Sequence, residues 1–341
     1  MFAYGADIGW LKQLEDMGYT WVDENGVQKD VLDLLKSMGV NALRFRIFVD
    51  PPENGVWVKA AEGGAGQDIV YLGYADEKSV LAAAKRAVEQ NFRIMLDFHY
   101  SDYFADPGCQ IMPKAWEGHS YERLLADVYD HTCHVLNLMT DNGIIPEWVQ
   151  VGNEINNGIM QPVGAAKDSF DKLAGLLNRG YDAVKDSSPE SRVVTHLAEG
   201  QDPEFCQTFL DTFLYRYGGK TDIIGLSFYP EIVVKYLGGE YEKSVQSTID
   251  NIQALAKRYE KDIMICEIGE NEAEEEKGYR LVKTMIDALQ KVPQGRGAGI
   301  FWWEPESNSA LLPDGYAMGA SRIVDRKKLQ FTKALRAFCE M

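Results

Sequence analysis

A chain of 341 residues, 45% of them hydrophobic, can bury a large core within one domain. It holds no run of about 18 apolar residues, which excludes a membrane-spanning helix. Its net charge of -17 excludes the cationic face that a phosphate backbone requires, so no nucleic-acid partner is expected, and an uncharged substrate suits it better than a polyuronate.

Met1-Phe2-Ala3-Tyr4-Gly5-Ala6-Asp7 lacks the basic and small-residue parts of a leader and reads as a first strand at 2–7. A native Met1 would place the protein in the cytoplasm, and a trimmed leader would make it a secreted one. Val27, Val31, Leu34, Leu35 and Met38 recur at helical spacing. Strands follow at 41–49 and 92–99, separated by a helix through Val80, Leu81, Ala84, Ala87 and Val88. Further β-branched runs at 148–154, 192–198, 222–228, 263–268 and 299–304 alternate with helical segments. One of these carries Ile249, Ile252, Leu255, Ala256 and Tyr259, and another Leu281, Val282, Met285, Ile286 and Leu289. A last helix would carry Leu329, Leu335 and Phe338. Gly39 and Gly143 stand where a left-handed residue ends a helix before the next strand. Eight such units predict an α/β fold of the (β/α)8 TIM-barrel type, a single domain over 1–341, with an open doubly wound sheet as the alternative. Cys109, Cys133, Cys206, Cys266 and Cys339 form no CxxC pair and read as reduced, mostly core thiols.

Connections from strand to helix are the long ones, at 50–75 and 100–120, so the chemistry is expected where strands end. Two otherwise apolar strands end in glutamates. Val149-Gln150-Val151-Gly152-Asn153-Glu154 closes the fourth, and Ile263-Met264-Ile265-Cys266-Glu267 closes the seventh. Alternation puts Gln150, Gly152 and Glu154 on one face, and Ile263, Ile265 and Glu267 on another. Strands three apart face each other across a barrel. A carboxyl pair there, about 5–5.5 Å apart, has the arrangement for cleaving a glycosidic bond with retention. Each glutamate could instead pair with an arginine or cap a helix. Arg44 and Arg46 end the second strand, and a guanidinium near Glu267 would hold it ionised. Asp97, His99 and Asp102, after the third strand, can bind sugar hydroxyls. Tyr100, Tyr103, Phe104, Trp116, Tyr229, Trp302 and Trp303 offer faces on which sugar rings stack.

Other features read as structure. His131 and His134 lack further ligands, and the chain has no HxH or HExxH. The run Glu62-Gly63-Gly64-Ala65-Gly66 lacks the GK[ST] ending of a phosphate loop and reads as a flexible loop. The acidic run from Glu270 to Glu276 reads as a helix N-terminus.

Gly5-Ala6-Asp7, Asn25-Gly26, Gly39-Val40-Asn41 and the run from Arg44 to Pro51 resemble the first units of glycoside hydrolase family 53, the arabinogalactan endo-β-1,4-galactanases of clan A. So do Asp97-Phe98-His99-Tyr100-Ser101-Asp102, Ala105-Asp106-Pro107, Pro113-Lys114-Ala115-Trp116, Val151-Gly152-Asn153-Glu154-Ile155, Ser227-Phe228-Tyr229-Pro230 and Phe301-Trp302-Trp303-Glu304-Pro305. The resemblance spans nearly the whole chain. It implies a retaining mechanism with Glu154 as acid/base and Glu267 as nucleophile, Arg44 holding Glu267 ionised, and Asn153 on the hydroxyl beside the anomeric carbon. Tyr229 would lie close to Glu267, and His99 and His196 would line the cleft. The implied substrate-binding set is Arg44, Asp97, His99, Asp102, Phe104, Trp116, Asn153, His196, Tyr229, Trp303 and Glu304. The implied partner is neutral β-1,4-galactan or its oligosaccharides, with no metal or other cofactor. The chain departs from the family pattern at Phe104, where Trp is usual, at Ile268-Gly269-Glu270, and at Leu197-Ala198-Glu199, where Leu-Asp is usual. It also has no counterpart of the bacterial calcium loop. A clan A glycosidase of other specificity, a non-catalytic carbohydrate-binding barrel and a metal-dependent barrel hydrolase are the competing expectations.

Overall fold

The computed structural model describes residues 1–55, 71–311 and 316–339. The glycine-rich run at 62–66 lies outside them. Eight strands form the barrel: β1 (Ala3–Asp7), β2 (Ala42–Ile47), β3 (Arg93–Phe98), β4 (Trp148–Val151), β5 (Arg192–Leu197), β6 (Ile223–Phe228), β7 (Asp262–Ile268) and β8 (Gly297–Trp303). They close in sequence order, β8 pairing back onto β1, and every neighbour is parallel. The predicted strands all occur, and the open sheet does not.

The barrel strands are buried on both faces, as parallel strands under a helical layer must be. Ala3, Ala42, Met95, Trp148, Val194, Ile223, Met264, Cys266 and Phe301 plug the interior. Alternate residues such as Ile94, Val149, Ile224, Ile263, Ile265 and Ile300 face outward, into the apolar layer beneath the helices. The plug closes the lower end, so polar groups on the same strands collect at the upper end.

Several of the helices around the barrel begin on side-chain caps that the sequence supplies. Asp30 accepts from Leu32 N–H ahead of α2 (Val31–Ser37) after the shorter α1 (Leu11–Asp16). Asp76 accepts from Lys78 and Ser79 N–H ahead of α3 (Glu77–Glu89), and Ser120 from Arg123 N–H ahead of α4 (Tyr121–Asp141). Each such cap stabilises its helix by about 1 kcal/mol. Gly39 and Gly143 adopt φ of +91° and +76°, as their positions predict.

Three helical expectations need correction. Val27 is exposed and precedes α2, because Asp30 caps the helix three residues later. Leu329 lies in a strand, Lys328–Phe331, of a small sheet packed beside the barrel with Ser321–Asp325, Thr20–Val22 and Gln28–Lys29. Among the described residues only the 3-10 turn Lys333–Phe338 follows, and Leu329 and Phe331 pack into the same core as Leu335 and Phe338. The acidic run enters a helix only at Glu275, while Glu270 is buried and accepts from the Tyr241 hydroxyl at 2.5 Å.

No helix among the described residues is long and apolar enough to cross a membrane. No group of three or more His, Cys, Asp or Glu side chains suited to a metal occurs among them either. His134 pairs with Glu77 at 2.7 Å, while His131 packs edge-on against Phe98 and Trp116.

Candidate active site

Both glutamates reach the barrel mouth by breaking strand alternation. In β7, Met264 and Cys266 point inward with the plug, so strict alternation would turn Glu267 outward with Ile263 and Ile265. The register instead jumps, Leu226 pairing with Ile265 and Ser227 with Glu267, and this bulge brings Glu267 into the cleft. In β4, the strand ends at Val151, and Gly152 takes a φ of +84°. A Cβ on Gly152 would meet Ile155 at 2.6 Å and Ile159 at 3.2 Å, so the glycine faces the outer apolar layer. Glu154 follows in a left-handed conformation, φ 44° and ψ 56°, which strains a residue with a side chain by about 1–2 kcal/mol. The expected sharing of faces is thus wrong in its reason for both strands, although both residues arrive in one cleft.

That cleft, of about 270 Å³, is lined by Glu154, Glu267, His99, Asn153, Tyr229 and Trp303, among others. A larger void of about 560 Å³ lies among α1, α2 and α3. Its acidic residues Glu15 and Asp16 are paired with Arg86 and Lys12, so it offers no free carboxyl pair.

Arg44, wholly buried on β2, organises the mouth. Its Nη1 donates to Asp7 at 2.8 Å and to Glu267 Oε1 at 3.0 Å. Its Nη2 donates to Asp97 at 2.8 Å, Gln150 at 3.1 Å and Asn153 Oδ1 at 2.9 Å. Tyr229 donates its hydroxyl to the other oxygen of Glu267 at 3.0 Å.

Burial raises the pKa of Glu267, with Arg44 and the Tyr229 hydroxyl working against it. Glu154 keeps part of its surface open to the cleft, yet burial and the Glu267 charge push it well above the ordinary carboxyl value. Asp97 is opposed by burial but ends below its ordinary value beside Arg44 and His99. His196 is driven well down by burial and by Arg44, and is neutral.

A second carboxyl group of residues lies under the floor. Arg46 pairs with Glu304 and lies 3.6 Å from Asp7. Glu306 hydrogen-bonds Glu304, and both are fully buried and receive Trp10 N–H, at 3.4 Å (Glu304) and 3.1 Å (Glu306). Burial and the Glu304 charge push Asp7 and Glu306 well up, so protons stay in this group.

The sequence matches the profile of Glycosyl hydrolase family 53 over residues 3–338. The chain belongs to this family and is a glycoside hydrolase. It is 32% identical to an uncharacterized protein encoded in the bgaB 5' region of Niallia circulans, over 99% of this chain and 94% of the relative. It is 28% identical to an endo-β-1,4-galactanase of Bacillus subtilis strain 168, over 92% of this chain and 71% of the relative. The catalytic domain of an Ignisphaera aggregans family 53 protein matches with a TM-score of 0.82 at 28% identity, over 99% of this chain and 95% of that one. A fungal β-1,4-galactanase has the same fold, with a TM-score of 0.84 at 24% identity over the whole of both chains.

In this family 53 hydrolase the structure brings Glu154, Glu267, His99, Phe104, Asn153, Tyr229 and Trp303 to the cleft wall. Arg44, Asp97 and His196 stand directly behind them, with at most 1% of their surface exposed. Other expected binding residues lie elsewhere. Asp102 is buried and accepts Asp50 N–H at 3.0 Å and Lys114 N–H at 2.8 Å, which pins two loops. Trp116 packs into the core against His131. Glu304 lies beneath Trp303, held by Arg46. Trp302 faces outward, and Tyr100 is buried on Thr132. Asp106, Ser227 and Glu199, quoted in the sequence motifs without a site role, and Tyr316, not quoted at all, also line the cleft. The signal for Ser227 was its place at the end of β6, two residues before Tyr229.

Proposed function

We propose that this protein is a retaining endo-β-1,4-galactanase in which Glu154 is the acid/base and Glu267 the nucleophile. The observation that carries this reading is the asymmetry of the pair. One carboxyl is held by a guanidinium and a phenol, and the other stands beside that charge, paired with no cation among the described residues. A carboxylate held as Glu267 is stays ionised and can attack the anomeric carbon, while a carboxyl placed as Glu154 is keeps a proton for the leaving oxygen. In the second step Glu154, now ionised, takes a proton from water as the glycosyl–Glu267 ester is cleaved.

Trp303 and Phe104 supply flat apolar faces for the sugar and Asn153 a polar one, while both ring nitrogens of His99 are engaged by Asp97 and by Ala105 N–H. Asn153 is already held by four bonds and keeps one Nδ2 hydrogen for a substrate hydroxyl. Galactan as the polymer rests on the names of the relatives and on an aromatic cleft whose charged lining is acidic, which suits an uncharged sugar better than a polyuronate. The test is incubation with unbranched β-1,4-galactan and chromatography of the early products. Short galacto-oligosaccharides of mixed length support internal cleavage. Inactivity on galactan together with turnover of β-glucan or β-mannan would move the specificity to another polymer.

A further inference from the structure

Ser227, at the end of β6, is 2% exposed, and its hydroxyl lies within hydrogen-bond reach of both Glu154 and His196 Nε2, the latter at 2.8 Å. A serine has one proton, so it can donate to only one of them. Which one follows from the groups behind it. Asn153 Oδ1 accepts from Arg44 Nη2 and Gln150 Nε2, both at 2.9 Å, while its Nδ2 donates to Ala105 O at 2.8 Å. The amide therefore cannot be turned round without setting donors against donors.

His196 Nδ1 lies 2.9 Å from that same Oδ1. Two lone pairs at this distance would repel, so Nδ1 carries the hydrogen. The Glu154 N–H also approaches Nδ1, but at 3.4 Å, which makes it the weaker contact. A neutral imidazole protonated at Nδ1 has its lone pair at Nε2. The Ser227 hydroxyl must then donate to Nε2, and it turns an oxygen lone pair toward Glu154.

Resting on the assignment of Glu154 as the acid, we propose that Ser227 is a positioning residue that keeps this acid loaded: the orientation set by Arg44 runs through Asn153, His196 and Ser227 and presents Glu154 with an acceptor for its proton. The glycosidic oxygen then takes that proton from Glu154 as the bond breaks. One arginine so acts on both carboxyls with opposite results, by direct contact on Glu267 and through three side chains on Glu154. Of the other groups facing Glu154, Glu267 on β7 and Asp106 in the loop after β3 favour its proton, and Arg44 on β2 opposes it. Tyr229, after β6, and His196, on β5, are neutral. As a donor Ser227 would lower the pKa of Glu154, and as the acceptor that His196 makes it, it favours the proton.

The test is the pH profile of kcat/KM on galactan for the wild type and Ser227→Ala. The expected result is a move of the alkaline limb toward lower pH by about one unit, because Glu154 loses the acceptor of its proton, with the acid limb unmoved. A fixed alkaline limb, or one moved upward, overturns the proposal, since Ser227 would then be silent or a donor to Glu154. 15N-histidine NMR of the unaltered protein tests the same chain even if the variant does not fold. His196 is expected to carry its hydrogen on Nδ1, and a hydrogen on Nε2 overturns the proposal. Azide rescue of Glu154→Ala on an aryl galactobioside separates the two layers. Rescue without a Ser227 shift leaves Glu154 as the acid and removes the relay, and failure of rescue removes both.

Discussion

The surroundings of Glu267 and of Glu154 differ in kind, although both side chains end strands at the same barrel mouth and both are raised by burial. Glu267 meets two donors, Arg44 and Tyr229. Glu154 meets a serine whose proton is engaged by a neutral histidine, and it feels the charge of Glu267. Desolvation from the barrel makes two weak acids, and the neighbours then separate them. The fold therefore supplies the place, and a handful of inward polar residues on β2, β5 and β6 supply the division of labour.

The sharpest way to break this comparison is to neutralise each carboxyl in turn. Glu267→Gln is expected to lower kcat on galactan by about 10⁴-fold or more, since no nucleophile remains. Glu154→Gln is expected to lower it by about 10²–10⁴-fold, and less on an aryl galactobioside, whose leaving group needs little protonation. Equal losses on both substrates in steady-state assays would erase the distinction between the two sites.

Arg44→Met is next in size. It leaves Asp97 and Glu267 buried without their cation, and a loss of about 3–5 kcal/mol in denaturant unfolding is expected. In the fraction that folds, Glu267 loses the group opposing its raised pKa. Activity requires Glu267 ionised and fails as pH falls through that value, so the acid limb of the pH profile should move to higher pH.

A smaller effect separates the mouth from the carboxyl group beneath it. Burial raises Glu306 above its ordinary value of 4.5. The folded chain thus keeps a proton there that the unfolded chain releases, and this group weakens the fold as pH rises above 4.5. Glu306→Gln keeps an acceptor for Trp10 N–H and supplies a permanent donor toward Glu304. Thermal unfolding should show it near neutral at pH 4 and stabilising by about 1 kcal/mol at pH 8. Phe104→Ala should change least, raising KM on galactan by up to about ten-fold through loss of one stacking face.

The barrel was legible because eight apolar β-branched runs and the helical spacing between them carry the fold redundantly. Leu329 was misplaced because an apolar residue near the C-terminus fits a helix or a strand equally well, and only its pairing with Thr20–Val22 decides. The two glutamates were legible as strand ends, but their route was not. The bulge in β7 and the left-handed turn after β4 are backbone events that alternation cannot foresee. Asp102 and Trp116 were over-read because a polar or aromatic residue in a long strand-to-helix loop looks the same whether it faces the cleft or pins the loop. Ser227 was under-read because its importance depends on which neighbour holds its proton.

The measurement that bears most directly on the division between the two carboxyls is trapping with a 2-deoxy-2-fluoro-galactobioside that carries a good leaving group, followed by peptide mass mapping. One covalent glycosyl label per chain is expected, on the peptide that holds Glu267. A label on Glu154, or full activity with no label and release of the inverted anomer, would contradict it.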